Sequence, residues 1–198
     1  MTTRRPGHFH AVKFYDSSES LGRIAAEFLG EGLASRQRAL VIVTPRHRKR
    51  ILAELQARHF DAEALEADGD LVLLDADAML GSFMVGGRPD ANLFQANAAR
   101  LFDRLGSRPV RCFGEGVDVL WKAGLDDAAL RLEDMWNRLT ATRDIRTLCA
   151  YSVTNFYKDT SLRAIFDEHS HVVSNKGAVV DAHPTVRWSS PPASQRPS

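Results

Sequence analysis

The chain has 198 residues, of which 44% are hydrophobic and 26% are charged, a composition typical of a globular protein with one well-buried core. Its formal net charge of +1 provides no overall attraction to nucleic acid or to an anionic membrane. No stretch has the apolar length of a membrane-spanning helix or of a secretory signal. We therefore expect a cytoplasmic protein that contacts neither a membrane nor nucleic acid directly.

Strand-like and helical patterns alternate from the start of the chain. Residues 11–15 form an apolar run that predicts a strand, and Asp16 with Glu19 fits a capping box that begins a helix. An apolar stripe with helical spacing follows, and Gly30 and Gly32 predict the end of that helix. The first unit is thus a strand, a tight turn and an amphipathic helix.

The same unit recurs along the chain. Thr44 and Pro45 predict a helix start, as a cap followed by proline at the first helical position. Further strands are predicted at 39–43, 71–74, 110–114 and 147–151, and helices at about 45–58, 91–105 and 159–169. This alternation predicts a three-layer α/β fold, with a mainly parallel sheet and helices on both faces.

The composition changes near the end of the chain. Residues 8–174 are predicted to form one domain, followed by a tail at 175–198 in which prolines and serines predict disorder for about the last 15 residues. Residues 178–180 could still add an edge strand to the sheet.

Cysteine and histidine spacing gives no metal motif. Cys112 and Cys149 fall in apolar runs without Cys-x-x-Cys spacing, which favours reduced, buried thiols. Two pairs of histidines are each separated by one residue, at positions 8 and 10 and at 169 and 171, but a zinc site needs three or four ligands. We predict no metal site, and we interpret His169 as a cap that interacts with a helix dipole.

In a parallel sheet, ligands bind beyond the carboxyl ends of the strands, so the turns there are the places to look. Glu115, between two glycines just past a strand, is the best polar centre. Its carboxylate could bind a ligand or a partner, pair with an arginine or act as a base, and catalysis is the least favoured because no nucleophile or metal motif accompanies it. The candidate ligand-binding residues at these turns are Tyr15, Asp16, Ser17, Thr44, Arg46, His47, Asp75, Gly114, Glu115, Gly116, Trp121 and Tyr151.

Two of these turns have structural interpretations as well. Residues 44–50 crowd cations into the start of a helix, where they oppose the helix dipole, so we expect a bound anion, an acidic partner, neighbouring carboxylates or simply solvated arginines. Asp75 and Asp77 are interpreted as turn formers and a helix cap. Trp121 and Trp136 either pack the helical region against the sheet or form an aromatic wall for an apolar or planar ligand.

The order of several motifs resembles the MEDS family of bacterial and archaeal sensory domains over roughly residues 8–174. The matching motifs are Phe14-Tyr15-Asp16, Glu27-Phe28-Leu29, Leu73-Leu74-Asp75-Ala76, Phe113-Gly114-Glu115, Leu132-Glu133 with Trp136-Asn137, Cys149-Ala150-Tyr151 and Glu168-His169-Ser170. The resemblance implies a fold similar to the RecA/KaiC ATPases. Gly116 and Asp118 depart from the family's usual methionine and small apolar residue, so a ligand contact there could differ.

A RecA-like fold makes the first turn informative. A phosphate-binding loop needs Gly-x-x-x-x-Gly-Lys-Ser/Thr, whereas residues 14–19 contain no glycine or lysine and carry two acids. Ordinary ATP hydrolysis is therefore not expected, and the identity of any cofactor is left open.

The resemblance implies a sensory role. We expect a stand-alone sensor that binds a small molecule, a partner regulator such as a histidine kinase or a transcription regulator, or both, and that signals by protein contact, with a homodimer as one way to present that surface. The alternative is a nucleotide-binding protein or enzyme that uses Glu115 and the turn around Arg46.

Overall fold

The computed structural model describes residues 9–153, 165–173 and 179–182. The strands are β1 (Phe9–Tyr15), β2 (Arg38–Val43), β3 (Leu71–Asp75), β4 (Met84–Val85), β5 (Arg88–Pro89), β6 (Val110–Gly114), β7 (Ile145–Ser152), β8 (His171–Val173) and β9 (Val179–Asp181). The helices are α1 (Ser18–Ala34), α2 (Pro45–Ala57), α3 (Ala62–Ala67), α4 (Ala76–Gly81), α5 (Ala91–Leu105), α6 (Gly116–Lys122) and α7 (Asp126–Thr142), and residues 165–168 are also helical.

Seven strands form one sheet in the order β3-β2-β6-β7-β1-β8-β9. All neighbours are parallel except β9, which runs antiparallel to β8. The first strand thus lies between β7 and β8, and the carboxyl ends of β1, β2, β3, β6 and β7 share one edge. The mainly parallel sheet predicted from the sequence is confirmed.

Successive side chains along each strand point to opposite faces of the sheet, and helices cover both faces. On β1, Ala11 and Tyr15 join a core with α1 and α2, whereas Val12 joins a core with α5, α6 and α7. On β7, Leu148 faces the first core and Cys149 the second. The three-layer arrangement is confirmed, and it buries the central strands almost completely.

Two details of α1 differ from the prediction. Its cap is Ser17, whose hydroxyl oxygen accepts from the backbone N–H of Ser20, so the predicted Asp16 and Glu19 box is wrong. The helix also continues through Gly30 and Gly32 to Ala34. These glycines allow close packing rather than termination, because a Cβ at Gly32 would lie 2.7 Å from the Arg111 side chain.

Other boundaries follow the sequence closely. Thr44 occupies the N-cap position of α2 and Pro45 its first turn, although the Thr44 side chain makes no cap hydrogen bond, and β4 and β5 form a small hairpin. α3 was not predicted, since its six residues are too few for a clear helical period. β9 forms the edge strand that residues 178–180 allowed, while most of the predicted tail lies outside the described residues.

Across the described ranges, none of the helices combines the length and the apolarity that crossing a bilayer requires.

Candidate functional site

Glu115 lies at the carboxyl edge of the sheet, directly after β6, and only 1% of its surface is exposed. Its two carboxylate oxygens accept hydrogen bonds from the backbone N–H of Thr44 and from Nδ1 of His47. The far nitrogen of His47, Nε2, lies 3.2 Å from the hydroxyl oxygen of Ser18. The carboxylate therefore connects the end of β6 to the start of α2, and the imidazole extends the connection to α1.

This contact resolves the electrostatics of the basic turn. The Glu115 carboxylate sits where the dipole of α2 is positive, so it offsets the cations that follow Thr44. Two of these cations have further acidic partners, since Arg48 pairs with Glu66 and Arg50 with Glu19. A carboxylate from a neighbouring turn, one of the alternatives left open by the sequence, is thus present at this helix start.

A second network lies beside the first. Asp118 is fully buried and accepts hydrogen bonds from the Tyr15 hydroxyl (2.7 Å) and the Ser152 backbone N–H (2.9 Å), and it pairs with the Lys122 ammonium (2.7 Å). Burial and the Asp118 carboxylate raise the pKa of Tyr15 well above its usual value. Asp118 joins β1, β7 and α6 at this edge, a role that its departure from the family pattern did not indicate.

The remaining predicted residues do not converge on one point. Asp16 and Ser17 belong to the cap of α1, Arg46 is exposed, and Gly114 and Gly116 flank Glu115. Trp121 packs edge-on against Tyr151, with ring centroids 6.1 Å apart. Only two residues connect β1 to α1, and no glycine-rich loop for phosphate lies there.

Asp75 caps α4 as predicted and also borders a cleft at the surface of the fold. This cleft has a volume of about 770 Å³ and lies between α4 and α5, beside the edge strand β3. Its walls are mainly apolar and aromatic and comprise Leu74, Met79, Phe83, Phe94, Ala98, Leu101, Phe102 and Trp136, with Asp75, Ser82 and Asn97 among its polar members. Of the twelve predicted ligand-binding residues, only Asp75 lines it.

The structure also gathers four buried side chains from four parts of the chain. His10 on β1, Glu133 on α7, Cys149 on β7 and His169 after the helical turn 165–168 place one ligand atom each within 4.8 Å of all the others. The Tyr151 hydroxyl donates to Oε1 of Glu133 at 2.7 Å. We name these four residues the central cluster.

Sequence reasoning missed the central cluster because its members are 16 to 159 residues apart along the chain. One signal was present: Glu133 stands in the apolar stripe of α7, where Leu132 and Trp136 are also buried. A carboxylate at such a position needs partners. The two cysteines are free and buried, as expected, and His169 does close a helical turn, since its Nδ1 lies 2.7 Å from the Ile165 carbonyl oxygen.

Comparison with known families decides the affiliation. The family described as "MEDS: MEthanogen/methylotroph, DcmR Sensory domain" matches residues 9–169. The chain belongs to the MEDS family. This match covers the sheet up to β7, the Glu115–His47 contact and all four members of the central cluster. No curated protein matches the sequence.

The fold of this chain is similar to that of a solved structure. A KaiC-like protein from the hyperthermophilic archaeon Pyrococcus horikoshii superposes with a TM-score of 0.57 at 13% identity, covering 84% of this chain and 72% of that one. The likeness shows the fold, so the predicted RecA/KaiC-like architecture without a phosphate-binding loop is confirmed.

Proposed function

We propose that this MEDS domain is a sensor that binds a small, mainly apolar organic molecule in the cleft between α4 and α5. The main support for this proposal is the cleft itself, whose volume of about 770 Å³ falls in the range typical of small-molecule sites. Its floor includes Leu74, Met79 and Leu101, which remain half-buried. Covering these side chains would remove apolar surface from water and so favour binding.

The aromatic side chains of the cleft pack against one another. Phe83 packs edge-on against Phe94 (5.4 Å between centroids), and Phe94 packs in the same way against Trp136 (5.5 Å). Such a connected set presents a fixed wall to a flat or apolar ligand, while Asp75 and Asn97 supply a few polar contacts that could orient it. On this proposal, Trp136 would serve both of the roles considered for it, in packing and in the wall.

The output of the sensor is proposed to be contact with a separate signalling protein, such as a histidine kinase or a transcription regulator. α4 and α5 carry the cleft on the outer layer of the fold, so a bound ligand would change a surface that a partner can contact. Affinity purification with and without a stabilising compound tests this step. Recovery of the same proteins in both conditions, with no signalling protein among them, would contradict it.

We propose no reaction for Glu115. Both of its oxygens already have donors in the Thr44 N–H and the His47 ring, which favours a structural role over that of a general base. The same contacts disfavour the nucleotide-binding alternative, since an anionic phosphate would meet a buried carboxylate at the start of α2. Selective stabilisation by ATP or GTP that is lost on Glu115→Ala would favour the alternative instead.

Thermal unfolding in the presence of a panel of small organic compounds tests ligand binding. A compound at 100 times its Kd should stabilise the fold by about 2.7 kcal/mol, which corresponds to a rise of roughly 5–10 °C in Tm for a chain of this size. Ala78 is exposed on α4 and borders the cleft, so Ala78→Phe should fill the space and abolish the rise. Ala53, exposed on α2 on the other side of the sheet, provides the matched control Ala53→Phe.

The compound must still raise the Tm of the control variant Ala53→Phe. An equal rise in wild type and in Ala78→Phe would place the ligand elsewhere and overturn the assignment of the cleft.

A further inference from the structure

The central cluster lies under α7, apart from both the carboxyl edge and the cleft. His10, Glu133 and His169 have no exposed surface, and Cys149 is 3% exposed. Its members come from a central strand, the neighbouring strand, a covering helix and the last helical turn, so the tertiary fold alone brings them together. Four different side chains with metal-ligand chemistry at one buried point require an explanation.

Several of their separations have the length of an edge of a coordination tetrahedron. Nε2 of His10 lies 3.2 Å from Oε2 of Glu133 and 3.4 Å from Sγ of Cys149, and that sulfur lies 3.4 Å from the same oxygen. Nε2 of His169 lies 3.4 Å from Oε1 of Glu133. Ligands at zinc-to-nitrogen, zinc-to-oxygen and zinc-to-sulfur distances of about 2.0–2.3 Å are separated by about 3.3–3.6 Å in a tetrahedral site.

The tautomer of His169 points the right nitrogen into the cluster. A carbonyl oxygen can only accept, so the contact between Nδ1 and the Ile165 carbonyl places the proton on Nδ1. In the neutral ring, Nε2 then carries a lone pair and faces a carboxylate oxygen. A backbone carbonyl on the outer nitrogen is the usual support of a metal-binding histidine.

Tyr151 supports the carboxylate in the same way. Its hydroxyl donates to Oε1 of Glu133 at 2.7 Å, which holds the group in place and leaves Oε2 directed at His10 and Cys149. Ligating carboxylates are commonly held by such outer hydrogen bonds.

The charges favour a divalent ion. In the described part of the chain, no lysine or arginine forms an ion pair with Glu133, whose ion-pair neighbours are the two histidines. Binding a metal would release the thiol proton to water, and the resulting thiolate and carboxylate together would neutralise two positive charges.

We propose that His10, Glu133, Cys149 and His169 bind one divalent transition-metal ion, with zinc the best match to two nitrogens, one oxygen and one sulfur. Four protein ligands leave no open position, which is typical of a structural site rather than a catalytic one. The ion would join β1, β7, α7 and the segment that ends at His169 into one unit.

Metal analysis of the chain, purified without a polyhistidine tag or chelator from zinc-supplemented cells, tests the proposal. One equivalent of zinc per chain is expected after dialysis. Cys149→Ser should lose it, whereas the matched control Cys112→Ser should keep it, because Cys112 is equally buried on the adjacent strand but outside the cluster. Tyr151→Phe should weaken binding by about 10–100-fold.

A second measurement does not depend on how the variants fold. Wild-type chain refolded with Co²⁺ should show the visible bands of a tetrahedral ion and a thiolate-to-cobalt charge-transfer band. Wild-type protein that folds by circular dichroism but takes up no metal, or binds cobalt without the thiolate band, would overturn the proposal. Full zinc occupancy in folded Cys149→Ser would do the same.

Discussion

Two buried glutamates of this MEDS domain each contact histidine, and their surroundings lead to different chemistry. Glu115 meets one imidazole and one backbone N–H at the edge of the sheet, where His47 extends the contact to Ser18. Glu133 meets two imidazoles, a thiol and a phenol in the interior, with no backbone donor among these partners. The first glutamate connects a strand to a helix start, whereas the second belongs to a convergent set of ligand atoms.

The difference lies in what the partners can do. A backbone N–H can only donate, so the Glu115 contacts are complete once they have formed. The partners of Glu133 include lone-pair donors, which also suit a metal. A glutamate–histidine contact therefore holds two elements together at Glu115, whereas at Glu133 it belongs to a proposed metal site. The neighbouring side chains determine which of the two roles the contact has.

The largest expected effect is that of Glu133→Gln on the metal-free chain. The change keeps the side-chain volume but replaces a fully buried carboxylate that accepts hydrogen bonds from the Tyr151 hydroxyl and the Cys149 thiol, and the loss of these charge-assisted bonds should lower the free energy of unfolding by about 3–5 kcal/mol. Urea unfolding with chelator present measures it. A loss below about 1 kcal/mol would show that the carboxylate is not held in its charged form by this network.

Glu115→Gln should have a smaller effect. The amide can still accept one hydrogen bond at α2, but the charge-assisted contact with His47 is lost, which typically costs about 1.5–3 kcal/mol. A double-mutant cycle with His47→Gln measures the coupling between the two side chains. Strictly additive losses would mean that the pair contributes no interaction of its own.

The raised pKa of Tyr15 predicts that the free energy of unfolding depends on pH. Because its pKa is raised in the folded state, the unfolded chain ionises this phenol first, so stability is complete below about pH 10 and falls as the pH rises further. The slope should reach at most about 1.4 kcal/mol per pH unit. Unfolding free energies measured at several alkaline pH values should show it, and Tyr15→Phe should remove this contribution.

The smallest effect is expected one residue away from Glu133. Asp134 is 40% exposed and pairs with Arg138 on the outside of α7. Asp134→Asn makes the same acid-to-amide change as Glu133→Gln, but it should alter the unfolding free energy by no more than about 0.5 kcal/mol, because exposed ion pairs on helices contribute little. A loss comparable to that of Glu133→Gln would attribute both effects to the helix rather than to burial.

The order of strands and helices could be predicted because apolar runs and caps are local signals. Thr44 with Pro45 and the acid at 75 showed where helices begin, and of the two predicted caps only Asp75 makes the side-chain cap hydrogen bond. The helix end predicted from Gly30 and Gly32 was wrong, since glycine also occurs where another chain segment approaches closely. These approaches come from Phe60 and Arg111, which lie far along the chain. Local chemistry alone does not distinguish these two uses.

Site geometry was only partly predictable for a related reason. Glu115 was recognisable as a polar group between glycines, but its partners His47 and Thr44 could be assigned only once β2 and β6 were known to be neighbours. The central cluster combines residues near both ends of the family match, and none has a partner at a motif spacing. Burial of a carboxylate in the stripe of α7 was the one local sign.

The position of β1 has a consequence for how the chain acquires its structure. This strand is made early during synthesis, yet its hydrogen-bonding neighbours in the sheet, β7 and β8, are made late. A nascent chain therefore carries an unpaired apolar strand until most of the domain has left the ribosome, and contacts of such long sequence separation slow folding. Joining β1 to its neighbours is thus expected to be a late step, and the one in which the domain depends most on protection from aggregation.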